Sequence, residues 1–344
     1  VVAFGVLYST LRLVVHTLRL PAYVASFRSR QRRAQASESL RGAWQAYLEG
    51  RYGRAQKLAG GAFELGEAPG LAALLAARSA HYLRDSERRD LWLTRAEGAP
   101  DEARTARLAT QAELLLDERR FEDARGVLRE LHESGPRHVA TLRMLLRAEQ
   151  GMQNWDEVLR LVNQLQKRGA LPAESARQLT VLATVENLKK KSLDASQMRQ
   201  FWRGVGEADK AEPRVAVTAA RLFMRLGDCR TAHTIISAAL ESQWNDELVR
   251  LYSECRDADA FERLQRAERW LLDHPDDAAL QLTLGRLCLQ QELWGKAQSY
   301  LESSITLGAS QAAHLELARL FDRIGRADEA DRHYRSASDP GVPA

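Results

Sequence analysis

The chain has 344 residues, 45% of them apolar, which suits two domains or one repeat array and excludes wholesale disorder. Only 9 prolines occur, Leu, Ala, Arg, Glu and Gln dominate, and no stretch alternates with period two, so the composition favours helix and excludes an extended sheet. The net charge of +4 comes from residues 1–37, which hold six arginines and no acid; the remainder is slightly acidic, and that excludes the broad basic face a nucleic-acid binder needs.

Residues 1–20 are almost wholly apolar, with Arg12 the one charge between Val1 and Val15. The stretch is short for a span, but the chain starts with Val rather than Met, and it is expected to be the C-terminal part of a truncated transmembrane helix. An amphipathic surface helix, with Arg12, His16 and Arg19 on one face, is the rival reading. Residues 21–37 are expected to be a basic juxtamembrane segment, in which Arg28, Arg30, Arg32 and Arg33 meet anionic lipid on the cytoplasmic side.

From residue 38 to 338 the chain repeats, and 339–344 is a tail. A helical-hairpin repeat of about 34 residues needs small residues at positions 8, 20 and 27, where helices approach closely, and an aromatic at 17 to plug the turn. Ala43, Tyr52, Ala55 and Ala62 fit a unit starting at 36. Ala112, Phe121 and Ala124 fit one at 105, Trp155 one at 139, and Ala220, Ala232 and Ala239 one at 213. Gly285, Trp294 and Ala297 fit a unit at 278, and Ala318, Ala330 and Ala337 one at 311. Weaker units start near 70 and 244, and the long interval after 139 predicts a degenerate unit over 173–212 with a loop inserted at Lys189-Lys190-Lys191. The expected fold is all-α, a TPR-type α-solenoid of about nine hairpins.

No phosphate loop, nucleophile elbow or zinc-protease motif occurs, which argues against an enzyme and against a metal site. The cysteines, Cys229, Cys255 and Cys288, are odd in number and form no CxxC, so they are expected to be reduced, small core residues rather than a disulfide framework. One pattern rises above background. Position 9, on the groove face of the first helix, is arginine in five units: Arg78, Arg147, Arg221, Arg286 and Arg319. Arg143 at position 5, with Arg225 and Arg323 at position 13, extends this into a basic ridge suited to carboxylates, either on an acidic peptide or on a tetrapyrrole. Acids such as Glu149, Glu316 and Asp322 lie near enough in sequence to neutralise it.

The ordered motifs resemble the HemY family of Gram-negative inner-membrane TPR proteins, distinct from the protoporphyrinogen oxidase that shares the name. The resemblance rests on LRLPAYVASFRSRQRR at 18–33, WQAYLEGRYGRAQKL at 44–58, QFWRGVG at 200–206, WNDELVRLYSECR at 244–256 and LTLGRLCLQQELWGKAQSYLESSI at 282–305. It implies a scaffold for late haem-pathway enzymes at the bacterial inner membrane, with the TPR domain facing the cytoplasm and no catalytic residues or obligatory cofactor. A haem or porphyrin carrier is the alternative, with His81, His132, His138, His233 and His314 as candidate axial ligands. A generic membrane-tethered adaptor is a third reading.

Overall fold

A computed structural model describes residues 27, 29–66, 68–98, 103–133, 138–255, 260–308 and 311–338. The expected transmembrane segment over 1–20 lies outside them, as do Arg28 and the tail at 339–344. Among the described residues there is no strand, and no helix is long and apolar enough to cross a membrane.

Contacts divide the chain into two units, 1–170 and 171–344. The first holds four helical hairpins. They are α1 (29–48) with α2 (Tyr52–Glu64), α3 (Pro69–Tyr82) with α4 (Ser86–Glu97), α5 (Arg104–Asp117) with α6 (Phe121–Glu133), and α7 (Val139–Gly151) with α8 (Trp155–Lys167). Arg30, Arg32 and Arg33 are exposed on the start of α1, which runs without a break into the first hairpin. The second unit holds five. They are α9 (Ala173–Lys191) with α10 (Ala195–Gly204) and the short α11 (Glu207–Lys210), then α12 (Pro213–Arg225) with α13 (Cys229–Ser242) and α14 (Asp246–Leu251) with α15 (Ala260–Asp273). The last two are α16 (Ala278–Gln290) with α17 (Trp294–Leu307), and α18 (Gln311–Arg323) with α19 (Ala327–Ala337).

Within each unit, first helices pack against the next first helix: α3 on α5 on α7, and α12 on α14 on α16 on α18. This is the stacking of an α-solenoid, in which each hairpin buries its apolar face against its neighbour. The small residues sit where the repeat demands them. Ala43, Ala55, Ala62, Ala112, Ala124, Ala220, Ala232, Ala297 and Ala318 are all fully buried. At Gly285 the approach is closer still, because a Cβ there would lie 2.6 Å from Leu301 of α17.

Seven hairpins turn in the same way. Residue 15 of the unit takes left-handed backbone at Gly50, Arg84, Arg119, Gln153, Gly227, Glu292 and Gly325, with φ between 55° and 78°. Its N–H and the next one close back onto the first helix: Gly50 N–H donates to Tyr47 O at 3.0 Å and Arg51 N–H to Ala46 O at 2.8 Å. That is the Schellman arrangement, which satisfies the last carbonyls of the helix.

The two remaining hairpins are irregular, and here two expectations fail. No loop is inserted at Lys189-Lys190-Lys191; the lysines end α9, a helix of 19 residues. Lysine is a good helix former, Lys189 pairs with Glu186 at 2.8 Å one turn earlier, and Leu188 is fully buried, so the helix continues through the run. The cysteines are not all reduced either: Cys229 at the start of α13 and Cys255 just beyond α14 form a disulfide, with Cα atoms 5.8 Å apart. The odd count hid a pair on neighbouring hairpins. Cys288 alone is free and buried, its thiol pushed up to about 11 by desolvation and by Glu268, which makes it inert.

Candidate functional site

The first-helix face of each unit is where the expected arginine ridge falls. In the first unit Arg78 of α3 forms an ion pair with Glu113 of α5, and Arg147 of α7 reaches Asp117 of α5 at 3.1 Å. His81 also lies 3.9 Å from Asp117. Burial holds the His81 imidazole below its ordinary pKa despite that carboxylate, so it is largely neutral near pH 7. The face is therefore a ladder of arginine, acid, arginine across three successive first helices.

The second unit repeats the pattern. Arg221 of α12 pairs with Glu247 of α14 at 2.7 Å. Glu316 of α18, its side chain only 14% exposed, receives Arg286 of α16 at 3.1 Å and Arg319 of its own helix at 3.4 Å. The ridge positions thus tie hairpin to hairpin, each exposed pair contributing about 0–1 kcal/mol. Arg143 is spent differently, donating twice to the Ala170 carbonyl at 2.6 and 3.2 Å. Arg225 and Arg323 are exposed and meet no carboxylate among the described residues. Of the acids foreseen as neutralisers, Glu316 serves; Glu149 accepts from Asn154 instead, and Asp322 from the Tyr334 hydroxyl.

Arg286, Arg319 and Arg323 line one open cavity of about 760 Å³, together with Glu254, Glu292 and Glu316. The first two hairpins present something else at the same repeat positions. Trp44, at position 9, and Leu48, at position 13, are 42% and 80% exposed. Trp44 joins Tyr47, Tyr52 and Tyr82 in a cluster in which Tyr52 and Tyr82 stack with centroids 4.7 Å apart. A search for arginines alone passed over this cluster, although Trp44 and Tyr47 stand at groove positions of the same template.

The histidines do not assemble a metal site: no group of three or more His, Cys, Asp or Glu able to hold an ion occurs among the described residues. His138 is exposed at the N-cap of α7, and His132 is half-buried on α6. His314 and His333 face each other with Nδ1 atoms 3.0 Å apart, and burial and their mutual repulsion keep the His314 imidazole below its ordinary pKa. His233 lines a cavity, beside Tyr252 and several arginines. A haem needs apolar surface over both faces of its ring, and the walls of this cavity are mostly charged and polar, so the residues present do not fit it.

The architecture and the open first-helix face define a helical-hairpin repeat protein of the TPR type. Residues 1–83 match the family model described as HemY protein N-terminus. Protein HemY of Escherichia coli strain K12 is 22% identical over 333 residues, covering 96% of this chain and 83% of that protein, and Protein HemY of Shigella flexneri matches to the same extent. The chain is thus similar to HemY proteins over nearly its whole length. Among solved structures, Cut9 in the APC/C hetero-tetramer Cut9-Hcn1 is 15% identical with a TM-score of 0.32, covering 88% of this chain and 66%, just under two thirds, of that one. Yeast Tom70 is 15% identical with a TM-score of 0.33, covering 88% and 68%.

Proposed function

We propose that the chain is a membrane-tethered, non-enzymatic scaffold that holds segments of partner proteins on its first-helix faces. The observation that carries this is the set of groove-position side chains the fold leaves unspent: Trp44, Leu48 and Tyr82 in the first unit, Arg225 and Arg323 in the second. Exposed aromatic patches mark interaction sites, and unpaired arginine forks suit carboxylates. The likeness to HemY supports partners among the enzymes of late haem synthesis, and the apolar run at 1–20 supports a bacterial inner-membrane anchor. The arginines at 28–33 favour the cytoplasmic side for the repeats, and contact with anionic lipid there.

The test is co-purification of those enzymes with the full chain from membranes. Arg225→Glu with Arg323→Glu, at the unspent positions, is expected to lower their recovery about tenfold, a change of about 1.4 kcal/mol in binding. Unchanged recovery would sink the ridge's part in binding. Neither side chain holds a carboxylate among the described residues, so a loss of recovery at an unchanged melting temperature belongs to binding and not to misfolding.

A further inference from the structure

A second polar cavity lies away from the first-helix face, between α13 and α15, the second helices of consecutive hairpins. It measures about 570 Å³, and its lining carries Arg230, Arg263, Arg266 and Arg269 against two glutamates. Its arginines differ from those of the ridge. Arg266 and Arg269, about one turn apart on one face of α15, are exposed and have no carboxylate partner among the described residues. On the facing wall Ser237 is 3% exposed, and its hydroxyl has no hydrogen-bond partner. Its neighbour Thr234 shows the usual solution on the same helix, donating to the Arg230 carbonyl at 3.0 Å. The unmatched buried hydroxyl is the kind of group folded proteins seldom keep, and beside two guanidinium groups that no carboxylate neutralises it makes a set of donors open to an anion.

We infer that this cavity binds a phosphate group on a small organic molecule. A planar carboxylate fills one guanidinium fork, whereas a tetrahedral phosphate offers oxygens to the hydroxyl on α13 and the guanidinium groups on α15 together. The volume exceeds that of a bare phosphate and lies in the range of small-molecule sites, about 300–1,000 Å³. The hydrophilic walls that exclude a porphyrin suit a phosphate ester. Two sources share this chemistry: a soluble phosphate ester and the headgroup of an anionic phospholipid.

The experiment is calorimetric titration of the full chain, in uncharged detergent at fixed ionic strength, with glycerol 3-phosphate and with inorganic pyrophosphate. Saturable one-to-one binding is expected, with a Kd below about 1 mM. Arg266→Glu with Arg269→Glu should weaken it at least about tenfold. Ser237→Ala should weaken it a few-fold while leaving the melting temperature unchanged or raised, because it removes an unmatched donor. Arg225→Glu with Arg323→Glu should leave it intact, which separates this site from partner docking. Heat that never saturates, or that both cavity variants leave unaltered, overturns the inference. If phosphatidylglycerol vesicles displace the ester and phosphatidylcholine vesicles do not, the natural ligand is the lipid headgroup; if neither does, it is the soluble ester.

Discussion

The seven regular hairpins and the α14/α15 hairpin solve one packing problem in two ways. In α16/α17 shape does the work: Gly285 lets Leu301 rest against the α16 backbone, Ala297 is fully buried, and residue 292 makes the left-handed turn. In α14/α15 the first helix has only six residues, and none of the described residues up to Cys255 that follow it is left-handed. Its apolar side chains Leu248, Val249 and Leu251 are buried all the same, and polar and covalent ties are added to that packing. The Cys229–Cys255 disulfide joins it to the preceding hairpin. The buried Arg263 guanidinium donates to the Tyr252 carbonyl at 3.3 Å and to Gln290 at 3.2 Å, while the Gln290 amide donates to the Ser253 carbonyl at 2.8 Å. Thr283 donates to the Val249 carbonyl at 2.9 Å, and Trp244 to Asp277 at 2.6 Å. Two open cavities border this hairpin, with Ser253 and Glu254 lining the ridge cavity and Tyr252 and Arg263 lining the α13/α15 cavity.

The comparison breaks most sharply at the disulfide. Its cysteines are 26 residues apart, so closing that loop restricts the unfolded chain by about 3–4 kcal/mol on the chain-entropy estimate. Cys229→Ala with Cys255→Ala is expected to lower the denaturant midpoint of the second unit by a matching amount and to leave the first unit's transition in place. Chemical reduction should reproduce this. In a reducing cytoplasm the bond would be largely open, so alkylation of thiols in intact cells, compared with purified protein, reads both the redox state of the pair and the side of the membrane on which it sits.

A regular hairpin should fail through shape instead. Gly285→Val puts a branched side chain where a single Cβ already meets Leu301 at 2.6 Å, and overpacking of this kind costs about 1–3 kcal/mol. The expected result is a lower melting temperature that Leu301→Ala partly restores, since the smaller partner makes room. If Gly285→Val proves neutral, the hairpin is looser than its contacts show, and the contrast with α14/α15 loses its basis.

Much of the regular part was legible in the sequence, because the repeat writes its steric needs into residue size. The alanines at positions 8, 20 and 27 predicted which residues are fully buried, and the expected unit starts at 139, 213, 278 and 311 fall on the first residues of α7, α12, α16 and α18. The ladder was only half legible. Its arginines recur at position 9, but their acids do not share one position: Glu113 is at 9, Asp117 at 13 and Glu316 at 6 of their units. An ion pair needs only tips that meet, so long side chains reach acids at several registers and leave no periodic trace. The disulfide and the α13/α15 cavity were illegible for a related reason. Both arise where α14 stops early, and pairing there depends on where the chain goes after Leu251 rather than on any residue pattern.

The turns supply the smallest and most sharply signed effect. Arg84, Arg119, Gln153 and Glu292 take the same left-handed backbone as Gly50, Gly227 and Gly325. A side chain in this conformation costs about 1–2 kcal/mol, because its Cβ crowds the following carbonyl. The turn persists because its two backbone hydrogen bonds and the packed helices on either side leave no other path; at α7/α8 the bonds run from Gln153 N–H to Gln150 O at 3.1 Å and from Asn154 N–H to Glu149 O at 2.9 Å. Glycine removes the crowding but adds freedom to the unfolded chain, worth about 0.5–1 kcal/mol in the opposite sense. The net expectation for Gln153→Gly is stabilisation by about 0.5–1 kcal/mol, read as a higher denaturant midpoint in the first unit. Gly227→Gln should destabilise the second unit by a similar amount. If both substitutions move stability in the same direction, the shared turn geometry is not what these seven positions have in common.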